Sequence, residues 1–72
     1  MIIDTAAKLL ADLYRSALEG EQVLSIHLFG IKYAAEIDGM PVHDLAALAG
    51  IPKSYGTEIR KGVKLAKYVV LK

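Results

Sequence analysis

The stretch from Val23 to Ile37 most limits how this chain folds, because its apolar residues surround a helical wheel almost completely. They are Val23, Leu24, Ile26, Leu28, Phe29, Ile31, Tyr33, Ala34, Ala35 and Ile37. A helix that is apolar on every side has to be buried, either in its own core or against another subunit. The stretch therefore predicts a buried helix, with Gly30 allowing the close approach of another backbone.

A β-strand over residues 22–29 is the alternative for the first half of this stretch. Here three apolar residues alternate with polar ones, as is typical of a half-buried strand: Leu24, Ser25, Ile26, His27 and Leu28. The chain offers no second convincing strand to pair with it, and a lone strand is not stable. A helix is therefore the prediction.

The composition indicates one small folded domain over residues 1–72. Hydrophobic residues make up 54% of the chain and charged residues 24%, which is the reverse of the composition of disordered chains. The absence of Cys excludes disulfides and thiolate metal sites. Because the apolar share is high for so short a chain, we expect a homodimer that covers part of it through segment 23–37.

No targeting or membrane-spanning segment is expected. The N-terminus carries Asp4 and lacks the basic-then-apolar layout of a signal peptide. Segment 23–37 contains polar and charged residues and falls short of the about 20 apolar residues that a membrane helix needs. These features predict a soluble protein with no membrane partner, and the absence of Cys favours the reducing cytoplasm as its location.

Hydrophobic periodicity predicts two further helices. The first covers residues 5–18, and Gly20 is expected to end it in a left-handed conformation. The second is short, begins near Pro41 and ends at Gly50. Its apolar face consists of Leu45, Ala46, Leu48 and Ala49.

A last helix is predicted from about Lys53 toward Val70. At about 100° per residue, its polar side carries Lys53, Thr57, Arg60, Lys64 and Lys67. The opposite side is apolar and consists of Tyr55, Ile59, Val63, Ala66 and Val70. The fold is thus predicted to be an all-α bundle of four helices, or of five if the last helix breaks at Gly62.

The charges divide the chain into an acidic front and a basic back. Residues 1–41 contain three Lys or Arg and six Asp or Glu, whereas residues 42–72 contain six Lys or Arg and two Asp or Glu. A basic stripe along one helix is typical of nucleic-acid binding, although a solvated surface helix rich in Lys is the alternative.

The sequence from Asp44 to Gly62 combines a short helix, a tight glycine turn and a second amphipathic helix. Ala46 is small enough for a close helix crossing, and Gly50 makes the turn four residues later. Two isoleucines then anchor the second helix on the core, Ile51 and Ile59. This pattern resembles the helix-turn-helix DNA-binding superfamily, with the unit over about residues 42–61.

One position departs from the pattern of that superfamily. Six residues after the turn glycine the family has a branched apolar residue, whereas this chain has Gly56. We expect the neighbouring Tyr55 to supply the packing instead. The departure leaves open how the second helix is rotated and which of its side chains face outward.

The resemblance implies double-stranded DNA as the partner. It places a set of side chains on the outward face of the second helix: Lys53, Ser54, Thr57, Glu58 and Lys61. Glu58 would there either accept a hydrogen bond from cytosine or pair with a neighbouring Lys. Phosphate contacts are expected from Arg60, Lys64 and Lys67.

The expected function is that of a small DNA-binding protein, either a transcriptional regulator or a DNA-targeting module of a longer protein. The alternative is a helical protein-interaction module, in which segment 23–37 binds the partner and the basic side only keeps the domain soluble. RNA in place of DNA stays open, although no aromatic stacking platform is apparent.

No enzyme and no cofactor are predicted. Two histidines are too few for a persuasive metal site, and the sequence contains no phosphate-binding loop or nucleophile motif. His27 lies in an apolar segment and is expected to be a satisfied core or interface group, whereas His43 is expected to be exposed near a helix start.

Overall fold

The computed structural model describes residues 1–71, and within that range it contains five α-helices and no strand. The helices are α1 (Ile3–Ser16), α2 (Gln22–Lys32), α3 (Ala34–Ile37), α4 (Val42–Leu48) and α5 (Gly56–Leu65), and a 3-10 turn over Lys53–Tyr55 precedes α5. The predicted all-α fold is therefore confirmed. None of the helices in the described range is long and apolar enough to cross a membrane.

The core lies where α1, α2, α4 and α5 meet. Its largest fully buried side chains come from all of these helices and from α3: Leu10, Ile26, Phe29, Ile37, Leu45 and Ile59. Alanines at the inner faces of α1 and α4 keep the helices close together, since they fill little volume. The Phe29 ring lies 5.3 Å from the Tyr33 ring, measured between centroids.

Segment 23–37 is helical as predicted, but it forms two helices instead of one. The backbone departs from helical values at Tyr33, which has φ −110° and ψ 20° and separates α2 from α3. Beyond this break, at the end of α3, the Ile37 side chain is buried in the core. The fifth helix thus arises at Tyr33, and the break proposed at Gly62 is wrong.

Gly62 lies within α5, and the helix continues through it to Leu65. The N–H of Ala66 donates to the Gly62 carbonyl oxygen over 3.1 Å, which keeps the helical hydrogen-bond pattern intact. The helix tolerates this glycine because Gly62 is buried against the backbone of α2 and has no room for a side chain.

Helices α1 and α5 both end earlier than their patterns predict. After α1 the backbone is already extended at Ala17, and Gly20, with φ +83°, lies in the following turn and not at the helix end. At the other end of the chain, the backbone N–H of Tyr68 donates to the Leu65 carbonyl oxygen, three residues earlier, in a tightened last turn. Val70 therefore lies beyond α5 and is 87% exposed, so its predicted place on the apolar side is wrong.

Candidate nucleic-acid interface

The turn after α4 is closed by two backbone hydrogen bonds around Gly50. The N–H of Gly50 donates to the Ala47 carbonyl oxygen (3.0 Å), and the N–H of Ile51 donates to that of Ala46 (3.2 Å). Together with the φ of +80° at Gly50, this pair of bonds is a Schellman motif. The left-handed turn glycine predicted from the sequence is confirmed, and the buried Ala46 and Ile51 hold the turn on the core.

Gly56 lets the first turn of α5 press against the first turn of α4. A Cβ at this position would stand 2.8 Å from the His43 backbone nitrogen and 2.5 Å from its Nδ1. His43 Nδ1 also hydrogen-bonds the Lys53 carbonyl oxygen over 2.9 Å. The branched residue of the superfamily pattern has no room here, because backbone contact takes its place.

Tyr55 supplies aromatic packing beside Gly56, as expected. Its ring lies 6.2 Å from the Tyr14 ring, measured between centroids, and packs against the core. On the next turn Ile59 is fully buried. These contacts fix the rotation of α5 that the sequence left open.

The exposed side of this part of the chain carries five cations, which we call the cationic ridge: Lys53, Arg60, Lys61, Lys64 and Lys67. All five residues are exposed, as are Ser54 and Thr57 between them. On the opposite side Ile59 is buried, and Tyr55, Val63 and Ala66 are half-buried. Apart from Glu58, the predicted side chains are thus all exposed, and their contact with DNA stays a prediction.

Most of the positive charge of the ridge is unpaired. Lys53 Nζ lies 3.8 Å from an Asp44 carboxylate oxygen on a solvent-exposed surface, where such a pair adds little stability. Arg60, Lys64 and Lys67 form no ion pair with any residue between 1 and 71. These three line one side of an open cleft of about 510 Å³, whose other side is the turn over residues 37–42.

Glu58 is the one predicted site residue that the structure does not place on the outward face. It is half-buried on the flank of α5 that faces α2, because its Oε1 accepts a hydrogen bond from His27 Nε2 over 2.8 Å. Its Oε2 accepts a hydrogen bond from Lys61 Nζ over 3.3 Å. The bond from His27 lowers the pKa of the Glu58 carboxyl, although partial burial opposes this effect.

The histidines have the surroundings expected of them. His27 is half-buried and bonded to Glu58, and His43 is exposed at the start of α4. Across residues 1–71 no three His, Asp or Glu side chains are grouped in a way that could hold a metal ion. Sequence reasoning missed the pairing of His27 with Glu58, since 31 residues separate them and only the packing of α2 on α5 joins them.

Comparison with known proteins adds one finding to this geometry. A family model described as an HTH-like domain matches residues 2–72, nearly the whole chain. No curated protein and no solved structure matches the chain. The matched range contains α4, its glycine turn and α5 as well as the helices that pack behind them, and on this match the chain belongs to the family of HTH-like domains.

Proposed function

We propose that this protein is a cytoplasmic, non-enzymatic DNA-binding protein that binds double-stranded DNA through the cationic ridge on α5 and the turns beside it. The observation that carries the proposal is a set of exposed, unpaired cations, Arg60 and Lys64 on that helix and Lys67 in the turn directly after it. Unpaired cations release condensed counterions when they meet phosphates, and this release drives binding to a duplex. The family match and the burial of Ile59 on the inner side of α5 support the same function.

Within this proposal the exposed residues on and beside α5 form two groups with different tasks. Lys53 and Ser54 in the turn before α5, Thr57 in its first turn and Lys61 in its middle are assigned to base edges, because the N-terminal part of such a helix reaches them. Arg60, Lys64 and Lys67 hold phosphates and fix the orientation of the domain without reading sequence. This division fits a transcriptional regulator or a DNA-targeting module.

Fluorescence anisotropy with a mixed-sequence duplex tests the proposal. Affinity should fall by orders of magnitude between about 50 mM and about 200 mM salt, because each phosphate contact adds to the salt dependence. The variant Lys53→Ala, Arg60→Ala, Lys64→Ala should lose binding and keep its helical circular dichroism. The matched control, Lys8→Ala, Arg15→Ala, Lys32→Ala, removes the same charge from exposed positions outside the ridge and should bind like the wild type.

Three results would contradict the proposal. No binding at low salt would favour a protein-interaction module, whose apolar contacts are nearly indifferent to salt. Equal losses in both triple variants would show that net charge alone governs binding. Stronger binding to a single-stranded or duplex RNA of the same sequence would replace DNA with RNA as the partner.

We also propose a homodimer through the outer face of α2. Part of segment 23–37 serves the domain's own core, since Ile26, Phe29 and Ile37 are buried. The outer face still exposes Val23, Leu24 and Leu28, by 38%, 49% and 39%. Sedimentation velocity across a concentration series should show a dimer that Leu24→Lys dissociates, and a monomer at every concentration would rule it out.

A further inference from the structure

Glu58 is the only carboxylate on α5, and it lies on the helix proposed to face DNA. It is one turn from Lys61 and two turns from Leu65 on the flank toward α2. A free carboxylate so close to the cationic ridge would repel phosphates and offset the charge of one cation. How this carboxylate is held therefore bears directly on the proposed DNA binding.

His27 controls the position of that carboxylate from α2. The backbone of α2 packs directly on α5 there, since a Cβ on Gly62 would stand 2.5 Å from the His27 carbonyl oxygen. The imidazole Nε2 lies 2.8 Å from Glu58 Oε1, and both side chains are about three-quarters buried. This is a cross-helix hydrogen bond between the two most closely packed helices.

The second carboxylate oxygen is also occupied. Lys61 Nζ donates to Glu58 Oε2 over 3.3 Å, so that the negative charge is shared between a residue of α2 and a residue of the ridge. His27 lines one open cleft together with groups of α5 and of the chain after it, namely Lys61, Lys64, Leu65 and Tyr68. Within residues 1–71 the carboxylate that pairs with His27 is that of Glu58, and the charged groups that share the cleft with His27 are the cations Lys61 and Lys64.

We propose that His27 is a positioning residue for DNA binding, which turns the Glu58 carboxylate toward α2 so that the ridge presents cations alone to the duplex. The inference rests on the proposed function of the ridge. In this proposal Glu58 pairs with charged groups of the protein itself and does not contact cytosine. His27 itself makes no contact with DNA.

A double-mutant cycle between the two residues tests the inference. His27→Leu should weaken duplex binding about fivefold, because the released carboxylate then competes for the cations of the ridge. In the Glu58→Gln background the same change should have no effect on affinity, since no carboxylate is left to position. His27→Gln, which keeps a side-chain N–H donor, should bind like the wild type.

Circular dichroism and thermal melting separate this role from a structural one. A purely structural His27 would lower affinity equally in both backgrounds, in step with the loss of helicity, and that result overturns the inference. A tenfold loss of affinity in the Glu58→Gln single variant also overturns the inference, because Glu58 would then contact the duplex. This measurement can be made even if His27→Leu fails to fold. Failure of the wild type to bind any duplex at low salt would instead overturn the proposed function and this inference with it.

Discussion

Gly30 on α2 and Gly62 on α5 face each other at the crossing of the two helices, with their backbones in contact. A Cβ on Gly30 would stand 2.8 Å from the Gly62 Cα, and a Cβ on Gly62 would stand 2.9 Å from the Gly30 Cα. Two glycines in register therefore seat the proposed DNA-binding helix directly on the backbone of α2. Glycine lowers the stability of a helix at both positions, so the benefit of these two residues lies in the close packing of α2 on α5.

Gly62→Ala should destabilise the domain by about 1–3 kcal/mol, because the added methyl group clashes with backbone atoms, which cannot move away by a rotamer change as a side chain can. Chemical unfolding followed by circular dichroism measures the change. Thr57→Ala, on the exposed side of the same helix, should stay within about 0.5 kcal/mol of the wild type. A Gly62→Ala protein as stable as the wild type would contradict the contact.

The same crossing predicts that two substitutions are not additive. Either Gly30→Ala or Gly62→Ala alone forces α2 and α5 apart, so the second methyl group enters a gap that the first has already opened. The double variant should lose less stability than the sum of the two single losses. Full additivity would mean that the two glycines act on separate contacts.

Gly50→Ala should cost about 1–2 kcal/mol for a different reason. Apart from Gly50 and its two chain neighbours, no residue comes within 4 Å of the place where its Cβ would stand, so the cost comes from a backbone with φ +80°. Gly50→Asn should cost less than Gly50→Ala, since Asn tolerates the left-handed region better. Thermal unfolding of the two variants gives this order, and an Ala variant at least as stable as the Asn variant would contradict it.

Local chemistry made part of this structure predictable from sequence. The positive φ of Gly50 follows from a glycine that ends a short apolar pattern, and the burial of Ile59 follows from its place opposite the cations of α5. Exposure of Arg60 and Lys64 follows from the same periodicity. Each of these features depends on residues that are close in the sequence.

The features that sequence reasoning missed depend on residues far apart. The pairing of His27 with Glu58 requires the crossing of α2 and α5, and the fit of Gly56 requires His43 of another helix. The break at Tyr33 depends on Ile37 reaching the shared core. No local sequence pattern predicts these features. A single unbroken helix over segment 23–37, for example, would satisfy local helix propensity as well as the two helices do.

Glu58 should make the stability of the domain depend on pH in the acid range. Its folded-state pKa is lowered, so the stabilisation from its hydrogen bonds is complete above the ordinary Glu value of 4.5 and is lost as the pH falls through the lowered pKa. Glu58→Gln should therefore lose less stability on acidification than the wild type does. Urea unfolding at about pH 6 and about pH 3.5 measures the difference.

Glu36→Gln is the control for this measurement, because it removes an exposed carboxylate that forms no ion pair within residues 1–71. If Glu36→Gln reduced the acid sensitivity as much as Glu58→Gln, the effect would come from net charge. The bonds to His27 and Lys61 would then play no part in it.

The cations of the ridge should contribute unequally to the salt dependence of DNA binding. Lys64 is exposed and unpaired within the described chain, so Lys64→Gln should reduce the slope of log affinity against log salt by about 0.9. Lys61 already shares the charge of Glu58, and Lys61→Gln should reduce the slope by clearly less. Anisotropy titrations at four salt concentrations give the slopes, with Lys32→Gln as a control that should leave the slope unchanged. Equal slopes for the Lys61 and Lys64 variants would mean that Glu58 releases Lys61 when DNA binds, and the carboxylate would then have to move away from Lys61 in the complex.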